Sequence, residues 1–208
     1  MNKYIKTGNI VKIISCRKEA AMIKRCKWAE EHELLKKYHD QDWGVPIYCD
    51  QKLFEYLTLE GAQAGLSWLT VLKKREHYQK AFHNFSIERV AAFTTKELEE
   101  LLKNQHLIQH QLKLKSVIHN ANCVLKIQEE FGTFSYFLWS FVDHTTIVNQ
   151  WTSHLDVPSY NTLSETLSKS LKSHGFKFIG PTICYSFMQA AGMIHDHTAE
   201  CFKFGTLK

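Results

Sequence analysis

One acidic residue, Glu60, stands in the run LEGAQAGLSW, which is otherwise small, apolar or uncharged and ends at Trp68. Upstream, the segment YHDQDWGVP supplies Tyr38 and Trp43, and its Gly and Pro predict that Trp43 lies in a loop. A carboxylate among aromatic rings suits a flat, cationic ligand that donates hydrogen bonds, because the rings add stacking and cation–π attraction. A positively charged nucleobase is such a ligand. The alternative is that Glu60 is a surface acid and that the aromatic residues are ordinary core.

A second group of residues has the chemistry of a metal site. Cys26 and His39 lie near the start of the predicted fold, and His197 and Cys201, four residues apart, lie near its end. A helix through the second pair would place both side chains on one face. Together the four could form a tetrahedral Cys₂His₂ zinc centre, and the lack of a carboxylate ligand favours a structural role. Spacing alone leaves open His195 as a competing ligand, or a plain buried thiol with satisfied histidines.

Charge is concentrated at one end of the chain. Residues 1–24 carry six basic side chains and one acidic side chain, and so account for the whole formal charge of +5. We interpret them as a flexible basic extension, and the formally neutral body would need a local patch to attract a phosphate backbone. Six cysteines without a C-x-x-C pair argue against a disulfide framework. No apolar run is long enough for a membrane span and no signal peptide is visible, so we expect a cytoplasmic protein without membrane contact.

The elements that must position these residues read as helices. Asp50 is a candidate cap for a helix that contains Glu60, and Ser67 for the next one. Capping-box spacing at Thr94–Glu97 and Thr162–Glu165 predicts two more helix starts. Apolar residues recur at helical spacing over 112–130. The sequence therefore predicts an all-α bundle with short loops.

Two further signals concern the C-terminal part of the chain. Gly175 is typical of the end of a helix over 162–174, and Pro181 is well placed as the first residue of a helix. Between them, GFKFIG could form a short extended link. No other stretch predicts a strand.

Several blocks of this sequence together resemble the 3-methyladenine DNA glycosylase I family. They are, in order, RCKW, YHDQDWGVP, LFEYLTLEGAQAGLSWLTVLKKRE, WSFVDH, GFKFIGPTICYSFMQAAGMIHDH and the final Cys201. The resemblance covers about residues 25–202, which we take as one DNA glycosylase domain followed by a short tail, 203–208. It implies an all-α helix-hairpin-helix bundle whose N- and C-termini are joined by a structural zinc site, and an enzyme of base-excision repair that acts in the cytoplasm as a monomer.

The resemblance also implies roles for individual residues. The substrate would be 3-methyladenine in alkylated double-stranded DNA, and the enzyme would hydrolyse its N-glycosidic bond after flipping the base out of the helix. Glu60 would be the catalytic, base-recognising acid, and Leu66 would fill the gap left in the duplex. The base-binding aromatic residues would be Tyr38, Trp43 and Trp68, and the ligands of one zinc ion would be Cys26, His39, His197 and Cys201.

The expected DNA-gripping hairpin departs from the family pattern. Its segment, LLKNQHLIQHQLKLKSVIHNA over residues 101–121, lacks the usual glycines, and Lys113 and Lys115 are the candidate phosphate contacts. Leu35 replaces a tyrosine that some relatives have near the pocket. Two alternatives therefore stay open: a zinc-stabilised DNA-binding module without turnover, and an N-glycosidase that acts on free nucleosides.

Overall fold

The chain folds into a helical assembly with almost no sheet. A computed structural model describes residues 23–206. Short 3₁₀ turns cover Lys27–Glu31, His83–Phe85 and Ser140–Val142. The α-helices are α1 (Glu33–Gln41), α2 (Asp50–Gln63), α3 (Trp68–Ala81), α4 (Ile87–Ala91), α5 (Thr95–Lys103), α6 (Gln111–Phe131), α7 (Phe134–Trp139), α8 (Thr162–Ser173) and α9 (Pro181–Ala190). The prediction of a mainly helical protein is confirmed.

Two very short strands form the sheet content of residues 23–206. Strand β1 (Ile147–Val148) pairs in parallel with β2 (Ile194–His195). The segment GFKFIG, for which we predicted a short extended link, forms no strand and runs as bends and turns between α8 and α9. The extended geometry is found instead just after α9, where β2 leads into the segment that carries His197.

The local helix-start signals were partly right. Ser67 accepts a hydrogen bond from Thr70 N at 3.2 Å and caps α3. Thr94 and Glu97 form the predicted capping box, with Thr94 N donating to Glu97 Oε2 at 2.7 Å. Pro181 begins α9 as predicted, and α8 ends just before Gly175, whose φ is +91°.

Two of the predicted caps are wrong. The cap position of α2 belongs to Cys49, and Asp50 is the first helical residue. Its carboxylate instead accepts from the backbone N–H groups of Phe134 at 2.8 Å and Ser135 at 2.7 Å, and so binds the start of another helix, α7. The cap of α8 is Asn161, one residue earlier than predicted, because its amide oxygen accepts from Ser164 N at 2.8 Å.

Helix α2 is the centre of the molecule. Every residue from Leu53 to Ala62 is buried, because α3, α6, α7 and α9 pack around the helix. A helix that is buried all round is normally apolar all round. The two acids within this stretch, Glu55 and Glu60, are therefore unusual, and each requires a specific explanation.

The described ends of the chain lie close together. Phe202 N donates to the carbonyl of Lys24 at 2.9 Å, and the Lys203 ammonium donates to the carbonyl of His39 at 3.1 Å. Residues 24 and 203 thus both contact the body, one position beyond the predicted domain bounds on either side. The expectation of a flexible basic extension falls almost entirely on residues 1–22, which lie outside the described part of the chain. Within residues 23–206, no helix is long and apolar enough to cross a membrane.

Candidate active site and metal centre

The four residues predicted to bind a base surround one cavity. Tyr38 lies in α1 and Trp43 in the turn after it, Glu60 lies in the last turn of α2, and Trp68 begins α3. All four line a cavity of about 360 Å³. Cavities of this size and aromatic character are typical of small-molecule sites. The sequence pattern had placed these residues near one another only along the chain, and folding brings them around a common space.

The aromatic rings that line the cavity form a continuous cluster. Tyr38 and Trp68 have ring centroids 5.2 Å apart, and Trp28 lies 6.2 Å from Tyr38. Trp28 and Trp43 meet edge to face, with centroids 5.1 Å apart and an interplanar angle of 77°. Trp28 was absent from the predicted base-binding set. It lies in the first 3₁₀ turn, two residues after Cys26, and its place in the RCKW block was the signal that could have identified it.

Glu60 has an unusual electrostatic setting. The residue is 4% exposed, and burial raises the pKa of its carboxyl to about 8, with no charged group in residues 23–206 acting in the opposite direction. A carboxyl near this pKa exists in both protonation states around neutral pH. The surface-acid alternative is therefore excluded, since Glu60 is a buried acid at the cavity wall.

Two other polar groups at the cavity lack a partner in the described chain. They are the hydroxyl of Tyr38 and the indole Nε1 of Trp68, both buried. Burial, and after it the charge of Glu60, raises the pKa of Tyr38 well above its ordinary value, so the phenol stays protonated. Buried polar groups normally find hydrogen-bond partners. An acid, a phenol and an indole without partners, on residues that line one aromatic cavity, are a suitable set for recognising a flat polar ring.

Asp196 also lines the cavity and was not predicted. Its carboxylate accepts from Tyr185 Oη at 2.6 Å, Asn149 Nδ2 at 2.7 Å, Trp151 Nε1 at 2.8 Å and Gln189 Nε2 at 2.7 Å. Four donors satisfy a buried carboxylate fully. Asp196 therefore differs from Glu60: it fixes the wall of the cavity, and Glu60 is left available to a ligand.

A second opening adjoins the cavity on the side of the α2–α3 turn. Glu60, Gln63 and Ser186 line both spaces, and Leu66 lines the second. Leu66 is 40% exposed at the tip of this turn. An apolar side chain thus stands in solvent beside the route to Glu60.

The two predicted DNA-contacting lysines have different environments. Lys115 is exposed on α6, whereas Lys113 is 7% exposed. The Lys113 ammonium donates to the carbonyls of Ala62 at 2.9 Å and Ala64 at 2.6 Å, at the end of α2. The prediction of a phosphate contact at Lys113 therefore needs correction. In the structure its ammonium group is taken up in the interior by hydrogen bonds to carbonyls at the C-terminal end of α2, where the helix dipole favours a cation.

The four predicted metal ligands form a buried cluster. Their ligand atoms all lie within 4.8 Å of one another. Cys201 Sγ is 3.3 Å from His39 Nε2 and 3.4 Å from His197 Nδ1, and Cys26 Sγ is 3.6 Å from His197 Nδ1. Tetrahedral zinc, with bonds of about 2.3 Å to sulfur and about 2.0 Å to nitrogen, would hold such atoms about 3.6 Å apart. The donor set and its spacing fit a zinc ion.

The surroundings of the cluster also suit metal ligation. His39 Nδ1 lies 2.9 Å from Asp40 Oδ1, which orients the ring with Nε2 toward the cluster. The hydrogen bond between the two thiols holds the pKa of Cys201 well below its ordinary value and raises the pKa of Cys26, so the pair shares one proton without a metal, and burial lowers the pKa of His197. A thiolate and a neutral imidazole are the forms that bind metals.

The backbone at the second ligand pair is not the helix that we considered. His197 and Cys201 lie in turns after β2, and the chain is folded there tightly enough to bring both side chains to one point. His195, the competing ligand, points elsewhere: its Nε2 lies 3.0 Å from the carbonyl of Lys203, and it is not in the cluster. Gly44, with φ +76°, makes room for His197, since an added Cβ would lie 3.0 Å from His197 Nε2.

Comparison with known proteins gives a consistent result. Residues 28–204 match the family model described as methyladenine glycosylase. DNA-3-methyladenine glycosylase 1 of Escherichia coli (strain K12) is 46% identical over 179 residues, which cover 86% of this chain and 96% of that protein. The Staphylococcus aureus 3-methyladenine DNA glycosylase I, in a structure addressing 3-methyladenine recognition, has a TM-score of 0.84 and 38% identity over 86% of this chain and 96% of that chain. A complex of 3-methyladenine DNA glycosylase I with 3-methyladenine has a TM-score of 0.85 and 36% identity, over 88% of this chain and 99% of that chain.

Proposed function

This chain belongs to the methyladenine glycosylase family, and on that basis we propose that it excises 3-methyladenine by capturing the extruded base beside Glu60. It is a DNA-3-methyladenine glycosylase, an N-glycosyl hydrolase of base-excision repair that acts on alkylated DNA. The observation that carries the residue assignment is the buried carboxyl of Glu60, whose pKa burial raises to about 8, among aromatic rings.

The chemistry of the substrate explains why so few polar groups suffice. Methylation at N3 places a positive charge on the adenine ring of the nucleotide, which already weakens the N-glycosidic bond. An ionised Glu60 would attract that ring and accept from its exocyclic amine, while Tyr38 and Trp68 stack on it. Binding energy that favours the extruded, cationic nucleotide over the stacked one lowers the barrier, and water completes the hydrolysis at the sugar.

Leu66 is the residue we assign to the duplex itself. An exposed leucine on a short turn can enter the space that an extruded base vacates, because apolar wedges insert readily between base steps. Its position beside the opening next to Glu60 supports this role. The flipped base and the filled gap would then lie on the two sides of the α2–α3 turn.

The connection between α5 and α6, residues 104–110, is our candidate for the hairpin that holds the DNA backbone. It contains no glycine, but α3 braces it: the Lys74 ammonium donates to the carbonyls of Gln105 at 3.3 Å, His106 at 2.9 Å and Leu107 at 3.3 Å. Lys115, exposed on the first turns of α6, is the lysine we retain as a phosphate contact. A braced loop with one nearby cation would grip the backbone of double-stranded DNA.

We further infer that Cys26, His39, His197 and Cys201 bind one structural zinc ion. The four ligand atoms and their spacing support this assignment. Zinc held by two thiolates and two imidazoles has its four coordination positions filled by protein, so it would stabilise the fold and take no part in the hydrolysis. The proposed active form is a monomer with one zinc ion, located in the cytoplasm.

The decisive experiment measures release of free 3-methyladenine from methylated duplex DNA by the wild-type protein, by Glu60→Gln and by the control Glu129→Gln. Glu129 is an exposed acid on α6 and does not line the cavity. We expect wild type and Glu129→Gln to release the base at equal rates. Glu60→Gln should lose at least about tenfold, since a charge-assisted contact is worth about 1.5–3 kcal/mol.

The same assay also separates the alternatives. Release by the wild type from free nucleoside but not from duplex would favour a nucleoside hydrolase. Intact DNA binding without release would favour a binding module. Full activity in Glu60→Gln would leave the excision activity standing and refute the role of Glu60.

A further inference from the structure

Trp43, which lines the cavity, lies in a turn, and a partly buried side-chain network holds that turn. Asp42, the residue before Trp43, is the C-cap of α1. Its Oδ1 accepts a hydrogen bond from Tyr56 Oη at 2.8 Å. The guanidinium of Arg75 lies 3.5 Å from each of its carboxylate oxygens. Asp42 itself does not line the cavity.

Arg75 is fixed in turn by a second acid, Glu55. Arg75 Nε donates to Glu55 Oε1 at 2.7 Å, and the side chains are 15% and 5% exposed. Lys52 Nζ at 2.9 Å and Gln79 Nε2 at 3.0 Å also donate to Glu55. Two carboxylates and two cations share the network, so its charge is balanced. The geometry is best defined at Glu55 and Arg75, because groups buried to this degree are costly to leave without their partners.

The three segments joined by this network are the three that carry the predicted base-binding residues. Asp42 belongs to the turn of Trp43, Glu55 and Tyr56 lie on α2 with Glu60, and Arg75 lies on α3 with Trp68. The network therefore connects the cavity walls from behind, at positions that the base does not reach.

We propose that Tyr56 and Arg75 are positioning residues that hold Asp42 in place. Through Asp42 they keep the Trp43 ring at the distance from Glu60 and Trp68 that a flat base requires. This inference rests on the base pocket proposed above and adds what fixes its width. Gly192 packs closely against the backbone of the same turn. An alanine Cβ there would collide with the backbone of Val45 and Pro46.

The test compares Tyr56→Phe with wild type in three measurements: affinity for free 3-methyladenine, thermal stability, and the Trp43 indole N–H resonance of ¹⁵N-labelled protein. Tyr56→Phe keeps the ring and removes the hydroxyl, and with it the bond to Asp42 and the bond accepted from Arg75 at 3.3 Å. We expect about tenfold weaker binding, the loss that corresponds to about 1.4 kcal/mol. The Trp43 resonance should shift or broaden, and that of Trp151, which donates to Asp196 at 2.8 Å, should stay unchanged.

Two further variants keep the test decisive. Arg75→Lys retains the charge but not the planar fork, and should weaken base binding in the same way if it folds. Tyr136→Phe, an exposed tyrosine on α7, should match wild type throughout. Tyr56→Phe and Arg75→Lys could instead lower the thermal stability but leave the affinity for 3-methyladenine and the Trp43 resonance unchanged. That result would show that the network only stabilises the fold, and would overturn the proposal. If wild type binds no 3-methyladenine, the proposed pocket fails, and the Trp43 resonance still decides whether the network positions that ring.

Discussion

At the scale of single residues, Glu60 is costly to the empty protein. A buried carboxyl with a raised pKa destabilises the fold when it must ionise, and a ligand that brings a positive charge relieves that cost. In the proposed function, ligand recognition and the cost to stability therefore arise from the same group. The balance between them depends on pH, and so can be measured without DNA.

We predict that Glu60→Gln stabilises the protein at pH 8.5 and has little effect at pH 5. The pKa of Glu60 is about 8 in the folded protein, above the ordinary value of 4.5. Between pH 4.5 and pH 8 the folded state therefore keeps a proton that the unfolded state has released. The stability contributed by wild-type Glu60 thus falls as pH rises from 4.5 to 8 and is constant above. A tenfold difference in proton affinity between the folded and unfolded states corresponds to about 1.4 kcal/mol, so the gain at high pH should reach the order of a few kcal/mol.

Urea unfolding of both proteins at the two pH values provides the measurement. Effects of pH on the metal ligands are common to both proteins and cancel in the difference. Glu129→Gln, an exposed acid, should show no pH-dependent difference from wild type. An equal stability difference at pH 5 and pH 8.5 for Glu60→Gln would contradict a raised pKa.

Residue type drew attention to Glu60, because an acid among small and aromatic residues is chemically unusual, but it left a surface acid equally open. The structure places Glu60 in the interior, and its role in base recognition stays a prediction. Asp196 could not be identified, because its four hydrogen-bond donors come from residues 149, 151, 185 and 189, which only the fold brings together. Lys113 was misassigned for the same reason, since nothing local shows that it reaches the carbonyls at the end of α2.

At the scale of elements, local signals predicted helices well and helix ends less well. The Thr94–Glu97 box and the Ser67 cap were right, because the groups that form them lie within a few residues of one another. The assignment of Asp50 as a cap failed, because its strongest partners lie on α7, far along the chain. A cap that depends on long-range packing leaves no local pattern.

The lysine pair on α6 gives a prediction about how α2 ends. We expect Lys113→Met to destabilise the protein by about 1–3 kcal/mol, because the carbonyls of Ala62 and Ala64 lose a charged donor in the interior. The same variant should leave the salt dependence of DNA binding unchanged. Lys115→Met should behave in the opposite way, with wild-type stability and a shallower salt dependence, lower in slope by about 1.

Urea unfolding and DNA titrations over a series of salt concentrations separate the two effects. Because Lys113 supports the turn that carries Leu66, a weaker affinity for DNA at every salt concentration would be compatible with its interior role. A reduced salt slope in Lys113→Met with unchanged stability would instead restore the phosphate contact that we predicted from the sequence.

At the scale of the whole molecule, the proposed metal cluster and the proposed base cavity are in direct contact. Cys26 lines the cavity, and the Trp43 ring lies 4.6 Å from the ring of His197, a proposed ligand, at an angle of 79°. The sequence could indicate both sites through residue types at the two ends of the chain, but not their contact, which depends on the closure of those ends. A change at the metal should therefore reach the base pocket.

We predict about one zinc ion per chain in freshly purified protein, and a fall in both thermal stability and 3-methyladenine affinity when a chelator removes it. The ligands come from positions 26 and 39 and positions 197 and 201, so the ion closes almost the whole chain into a loop, and its binding energy is folding energy. Cys201→Ser should reproduce the loss, whereas Cys49→Ser, at an exposed thiol, should not. Absence of zinc from fresh protein, or wild-type stability in Cys201→Ser, would refute the metal centre. A loss of stability without any loss of base affinity would retain the zinc but refute its coupling to the pocket through His197 and Trp43.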